Sequence, residues 1–138
     1  MTDPPVPADG LDEGTLAFAG RMFDLARNGG DEELAEQVDA GLPVNLTNDK
    51  GDTLLILAAY HQHAATLRAL LARGADTSRV NDKGQTALAA AVFRRSGEIV
   101  SDLLAAGADA EVGSPSARET ATFFELDDMS ALLPPRQA

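Results

Sequence analysis

Two histidines separated by one residue, His61 and His63, are the side chains best suited to metal chemistry in this sequence. On a helix, residues two apart point to different faces, and no third ligand stands nearby. We therefore interpret them as solvated or helix-end histidines and predict no metal site. The acidic run at 31–33 lacks the spacing of a calcium loop, so its carboxylates are expected to favour the start of a helix instead.

Catalytic chemistry has little support in the sequence. The chain contains no cysteine, which excludes disulfides and thiol catalysis. The glycines at 29–30, 51, 74, 84 and 107 are expected at caps and turns, and none has the spacing of a phosphate-binding loop. No nucleophile is placed beside a base in a recognisable motif, so we predict a protein that is not an enzyme and needs no cofactor.

The charge balance limits the classes of partner. The 138 residues carry a net charge of -11, which repels phosphate backbones and argues against nucleic acid. Residues 1–47 hold 10 acidic and 2 basic side chains, a net charge of -8 that either keeps the protein soluble or serves a basic partner. No apolar run is long enough to span a membrane, and the first residues do not look like a signal peptide. A cytoplasmic location is therefore expected.

A repeat of 33 residues dominates the organisation of the chain. The tetrapeptide Asn-Asp-Lys-Gly occurs at 48–51 and again at 81–84. Across 48–80 and 81–113, 13 of the 33 aligned positions are identical. A period of this length predicts stacked structural units rather than a single globular core.

Helical periodicity and turn residues divide the chain into four units. We predict helical pairs in repeats at about 13–47, 48–80 and 81–113, and a shortened capping repeat at 114–133. Residues 1–12 are predicted to be a flexible tail because they are rich in proline, and 134–138 form a short C-terminal tail. Helices are predicted at 13–27, from 31 to Gly41, and at 64–72, 120–125 and 127–133. Asp127 and Asp128 are expected to cap the last of them at its N-terminus.

Short polar side chains mark the predicted helix starts. Thr53 and Thr86 precede short apolar segments and are expected to cap them, because a side-chain hydroxyl can accept a bond from a free backbone N–H. Asp31 and Ser96 are expected to do the same for the second helix of their units. These caps, with Gly41, Gly74 and Gly107 after the second helices of the first three units, predict compact helix-turn-helix repeats.

These features resemble the ankyrin repeat family. The family pattern is a turn, Gly-x-Thr-Pro-Leu-His-x-Ala-Ala, a second helix with paired leucines, and Gly-Ala-Asp. The second unit matches at Gly51, Thr53, Leu55, Ala58, Ala59, Leu70, Leu71, Gly74, Ala75 and Asp76, and the third at Gly84, Thr86, Leu88, Ala91, Leu103, Leu104, Gly107, Ala108 and Asp109. The resemblance covers about 20–133 and implies an all-α solenoid of about four repeats with short, hairpin-like turn tips, similar to small stand-alone bacterial ankyrin proteins.

The sequence departs from the family pattern at three places in each unit. The proline is replaced by Leu54 and Ala87, and the histidine by Ile56 and Ala89. The glycine between the two helices is also missing, so the loops there are expected to differ in shape. The absent histidine removes a polar network and some stability, while the fold expectation stands.

The resemblance implies a binding surface rather than an active site. In the family, the turn tips and the exposed face of each first helix line a concave groove. The positions that correspond here, and that we predict to bind a partner protein, are Asp49, Lys50, Asp52, Tyr60, His61, Asp82, Lys83, Gln85, Phe93 and Arg94.

Tyr60 and Phe93 occupy equivalent positions in successive units, so their placement decides between two interpretations. Aromatic and arginine side chains are frequent interface anchors, which would put Tyr60, Phe93 and Arg94 at the centre of a protein-binding groove. Alternatively, the two rings fold between helices and complete the core.

Binding of another protein without chemical change is therefore the leading functional prediction. The alternative is a stress-response regulator that stabilises or modulates an enzyme such as a catalase, which rests on the resemblance alone. An enzyme is the third alternative. The charged N-terminal region argues against self-pairing at that end, so a monomer or weak dimer is expected.

Overall fold

The computed structural model describes residues 6–7 and 13–136, and within them the chain forms a short stack of helical pairs. The helices are α1 (Glu13–Asn28), α2 (Asp31–Asp39), α3 (Leu54–Tyr60), α4 (Ala64–Ala72), α5 (Ala87–Phe93), α6 (Gly97–Ala105), α7 (Ala117–Phe123) and α8 (Asp127–Leu132). Two-residue strands β1 (Val6–Pro7) and β2 (Leu46–Thr47) pair in parallel. The rest of the predicted tail at 1–12 lies outside the described residues, as do 137–138.

The helices form two layers. The first helices of the units, α1, α3, α5 and α7, pack side by side, and the second helices, α2, α4, α6 and α8, form a parallel row behind them. Each of these first helices (the inner helices) also packs on the second helix of its own unit. The inner helices α3 and α5 are therefore each covered from three directions. This arrangement is the all-α solenoid that the repeat predicts.

Small and apolar side chains allow the inner helices to approach closely. In α3 the first six of seven residues are buried, and α5 shows the same pattern. Leucine and isoleucine fill α3, whereas four alanines in α5 leave room for its neighbours. A helix buried on nearly all sides gains its stability from packing, since seven residues are too few for a stable isolated helix. Only the last residue of each, Tyr60 and Phe93, reaches the surface.

The hydroxyl caps of the first helices are confirmed. Thr53 Oγ1 accepts from the backbone N–H of Ile56, and Thr86 Oγ1 accepts from that of Ala89, each at 3.1 Å. The fourth unit has a cap that the sequence analysis missed: Ser116 Oγ accepts from Glu119 N–H, and the Glu119 carboxylate accepts from Ser116 N–H. This reciprocal pair starts α7 at Ala117, three residues before the predicted start.

The caps predicted for the second helices are wrong. Asp31 is already the first residue of α2, and Ser96 stands at the N-cap of α6 but makes no side-chain cap bond. The reason is the backbone: Ser96 has ψ near 82°, whereas the capping residue Thr86 is extended with ψ near 171°. Only the extended conformation directs the side-chain oxygen at the free N–H groups of the first turn. The paired aspartates of α8 likewise lie inside its first turn, after the N-cap Leu126.

The turns between paired helices share one backbone conformation. Gly29 has φ of 80°, and the residues at the corresponding turns, Gln62, Arg95 and Glu125, have φ of 63°, 55° and 54°. The difference in loop shape expected from the missing glycines is therefore not observed. The side chains adopt the left-handed region that glycine enters without strain, at a cost of about 1 kcal/mol each.

An asparagine side chain holds each turn tip through hydrogen bonds to the backbone, and a further hydrogen bond links successive tips. Asn48 Oδ1 accepts from the N–H groups of Lys50 and Asp52, both at 2.9 Å, and Asn81 repeats this arrangement one unit later. The N–H of Asp82 then donates to the Lys50 carbonyl at 3.0 Å. These bonds fix the spacing of successive tips, and thus the position of the charged side chains they carry.

Candidate functional site

A groove of about 600 Å³ lies between the turn tips and the exposed ends of the first helices. Eight of the ten residues predicted to bind a partner line it, namely Lys50, Asp52, Tyr60, His61, Asp82, Lys83, Gln85 and Phe93. The other two are placed at its margins. Arg94 lies over the Tyr60 ring, and Asp49 borders a smaller hollow of about 340 Å³ beside Phe23.

Tyr60 and Phe93 lie at the surface rather than in the core. Their residues are 37% and 41% exposed, and their rings stack with centroids 6.4 Å apart and planes inclined by 12°. Both extend from the final position of their helix, where α3 and α5 reach solvent. The rings therefore present a continuous apolar surface at the edge of the groove.

Arg94 joins this aromatic surface to a cation. Its guanidinium carbon lies 5.1 Å from the centroid of the Tyr60 ring, within the range of a cation–π interaction. With the Gln62 amide oriented to satisfy both groups, its oxygen accepts from Arg94 Nη2 at 2.9 Å. The left-handed turn at Gln62 thus helps to hold the guanidinium over the ring.

The two histidines have separate roles. The Nε2–H of His63 donates to the Arg27 carbonyl at 2.7 Å, which ties the end of α1 to the start of α4. His61 instead packs edge-on against Tyr60, with ring centroids 5.2 Å apart. Burial lowers the pKa of His61 most, the neighbouring Arg27, His63 and Arg94 lower it further, and the Asp52 carboxylate raises it.

The aromatic surface continues into the fourth unit, which the sequence analysis did not foresee. Phe124 packs edge-on against Phe93 with ring centroids 5.4 Å apart, and Phe123 packs against Phe124 at 4.9 Å. Phe123 and Phe124 are 79% and 49% exposed. The missed signal is that α7, like α3 and α5, has seven residues and ends in an aromatic residue.

Comparison with known families identifies the architecture. Residues 22–114 match the family model of ankyrin repeats, in three copies. The chain belongs to the ankyrin repeat family. The predicted all-α ankyrin solenoid is thereby confirmed.

A bacterial ankyrin repeat protein resembles part of the chain closely. A curated ankyrin repeat protein of Pseudomonas aeruginosa is 52% identical over 68 residues. The matched region is 49% of this chain and 39% of the relative, so the match spans about two fifths of the relative's length. Ankyrin repeat proteins are typically non-catalytic modules for protein–protein interaction.

Five further residues that line the groove were not predicted from the sequence. Arg27, Ile56, Leu57, Asn81 and Ala90 also line the groove. Ile56 and Leu57 are buried, so their atoms form part of the groove floor. Within 6–7 and 13–136, no helix is both long and apolar enough to cross a membrane.

Proposed function

We propose that this ankyrin repeat protein binds a partner protein in its concave groove, without chemical change to either molecule. The observation that carries the proposal is the row formed by Tyr60, Phe93 and Phe124, whose rings contact one another while remaining 37–49% exposed. Large exposed aromatic surfaces mark interaction sites more often than isolated apolar residues do.

The arrangement suits anchoring by a few side chains. Aromatic and arginine residues are enriched among interface hot spots because they bury large areas with few rotatable bonds. Here Arg94 is already held over Tyr60, so little of its conformational entropy remains to be lost on binding. A standard interface of roughly 800 Å² per partner would cover the row and the adjoining turn tips.

The proposal extends to a cytoplasmic protein that acts as a monomer or weak dimer. Neither the geometry of the described residues nor the relative's name favours the stress-response regulator or an enzyme. Protein binding is therefore the single function proposed.

The test is affinity capture from a lysate of the source organism with wild type and the Tyr60→Ala/Phe93→Ala variant. Phe18→Ala is the matched control, because Phe18 is 36% exposed but lies on α1, outside the residues lining the groove. We expect wild type and Phe18→Ala to retain one dominant protein that the folded double variant loses. Equal capture by all three would place the binding site elsewhere.

A further inference from the structure

The lysine and arginine side chains differ in how they are neutralised. Of the nine arginines, seven form an ion pair with a carboxylate. Among residues 6–7 and 13–136, the remaining two arginines and both lysines have no carboxylate within 4.0 Å; these four cations are Arg21, Lys50, Lys83 and Arg94. Their charges are therefore not neutralised by a neighbouring carboxylate, although the chain has twice as many acidic as basic residues.

Three of these four unpaired cations border the groove. Lys50 and Lys83 line it from successive turn tips, and Arg94 lies over Tyr60 at its aromatic edge. The fourth, Arg21, lies over the Phe18 ring on α1, 5.5 Å from its centroid. The unpaired positive charge is therefore concentrated at one face of the molecule.

The carboxylates of the groove do not cancel this charge. Two line it, Asp52 and Asp82, against Lys50, Lys83 and Arg27, which pairs with Asp24, while the margin residues Arg94 and Asp49 carry opposite charges. Asp52 Oδ1 is already engaged, because it accepts from the Asn81 amide at 2.8 Å. Three cationic and two anionic side chains thus line the groove, in contrast to the net charge of -11 for the whole chain.

An apolar surface runs beside these cations. The row of Tyr60 and Phe93 passes through Phe124 to Phe123, and the exposed fraction rises toward the last unit, where Phe123 is 79% exposed. A matching ligand needs negative charge on the side of the turn tips and apolar side chains on the side of the row.

We infer that the groove binds an acidic segment of a partner protein whose carboxylates face Lys50 and Lys83 and whose aromatic or large aliphatic side chains pack on Phe93, Phe124 and Phe123. This inference rests on the proposed function and specifies the chemistry of the partner. Opposite charges steer the encounter and reject basic segments, while the rings supply most of the affinity. Phe123 and Phe124 thereby become binding residues alongside those predicted from the repeat.

Single-stranded nucleic acid also combines negative charge with stacking surfaces. The acidic remainder of the molecule repels a long polyanion, whereas a short peptide contacts only the groove. The structure therefore favours the peptide, and an oligonucleotide serves as the competing probe.

The experiment starts with a displayed library of random peptides of about 12 residues. The library is selected on wild-type protein and depleted on folded Tyr60→Ala/Phe93→Ala, which removes peptides that bind elsewhere. We expect the retained sequences to be enriched in Asp and Glu next to Phe, Trp or Leu. Fluorescence anisotropy then measures the affinity of the enriched peptide for wild type and for variants changed either at the lysines or at the rings.

Lys50→Ser/Lys83→Ser is expected to weaken peptide binding about tenfold and to flatten its salt dependence, since two exposed charge pairs are lost. Phe123→Ala/Phe124→Ala is expected to weaken it by at least tenfold. Arg21→Ser is the matched control, an unpaired cation outside the groove, and is expected to change affinity less than about twofold.

The outcomes separate the inference from the function on which it rests. Ring-dependent peptides without acidic enrichment, or affinity unchanged in Lys50→Ser/Lys83→Ser, would overturn the acidic partner while leaving groove binding intact. If no peptide bound wild type in preference to Tyr60→Ala/Phe93→Ala, the result would count against both the acidic partner and groove binding. Tighter binding of a labelled 12-nucleotide oligo-dT, lost in the same lysine variant, would replace the peptide with nucleic acid.

Discussion

Replacing Phe93 with alanine tests whether the aromatic row is a surface feature or part of the core. The residue is 41% exposed, so about three fifths of the gain from burying a Phe side chain, which is roughly 1.5–3 kcal/mol in full, is available to lose. Its edge-to-face contact with Phe124 adds about 0.5–1.5 kcal/mol. We expect Phe93→Ala to lower the free energy of unfolding by about 2 kcal/mol.

Leu88→Ala provides the comparison within the same helix. Leu88 is fully buried in α5, so its truncation leaves a cavity and is expected to cost about 3–5 kcal/mol. Urea unfolding followed by circular dichroism at 222 nm measures both variants against wild type. If Phe93→Ala were as destabilising as Leu88→Ala, the ring would be a core residue and the reasoning from its exposure would fail.

Three further predictions concern single groups. Thr86→Val removes the acceptor of the buried Ala89 N–H and should lower the free energy of unfolding by about 1–2 kcal/mol in urea; Thr86→Ser keeps the hydroxyl, and an equal loss there would contradict the cap. Glu125→Gly removes the strain of a side chain in the left-handed region and should raise the free energy of unfolding by about 0.5 kcal/mol. Glu125→Ala keeps that strain and should bring no gain in a thermal melt. Because the pKa of His61 is lower in the folded state, the unfolded chain protonates this histidine first on acidification. The stability that depends on neutral His61 is therefore complete above about pH 6.5 and is lost as the pH falls through the folded pKa. His61→Asn should flatten this dependence, and an NMR titration placing the folded pKa at or above 6.5 would refute it.

The sequence predicted the parts of the fold that obey the 33-residue period. The helix at 64–72 and the caps at Thr53 and Thr86 coincide with the structure, because one repeated pattern specifies turn, cap and helix together. Ser96 was misjudged because a capping residue type does not reveal its backbone angles, and here ψ is wrong for capping. The pairing of Val6–Pro7 with Leu46–Thr47 involves too few residues to leave a periodic signal.

The candidate site was predicted less completely than the fold because the fourth unit of the chain is shorter than the others. Ser116 corresponds to Thr86 at an offset of 30 residues rather than 33, so extending the longer period shifts α7 out of register. That shift concealed the equivalence of Phe123 with Phe93. The groove floor was missed for another reason: Ile56 and Leu57 belong to an apolar segment, in which sequence pattern does not show which atoms border a cavity.

The placement of an aromatic residue at the end of each seven-residue inner helix has a consequence for how such a protein can change over evolution. Tyr60, Phe93 and Phe123 are supplied by the repeating unit itself, so duplication of one unit adds both a helical pair and one ring. Loss of a unit removes both together. On the proposed function, the length of ligand that the surface accommodates is therefore inherited in whole steps, while point substitutions at the turn tips adjust its preference for charge independently.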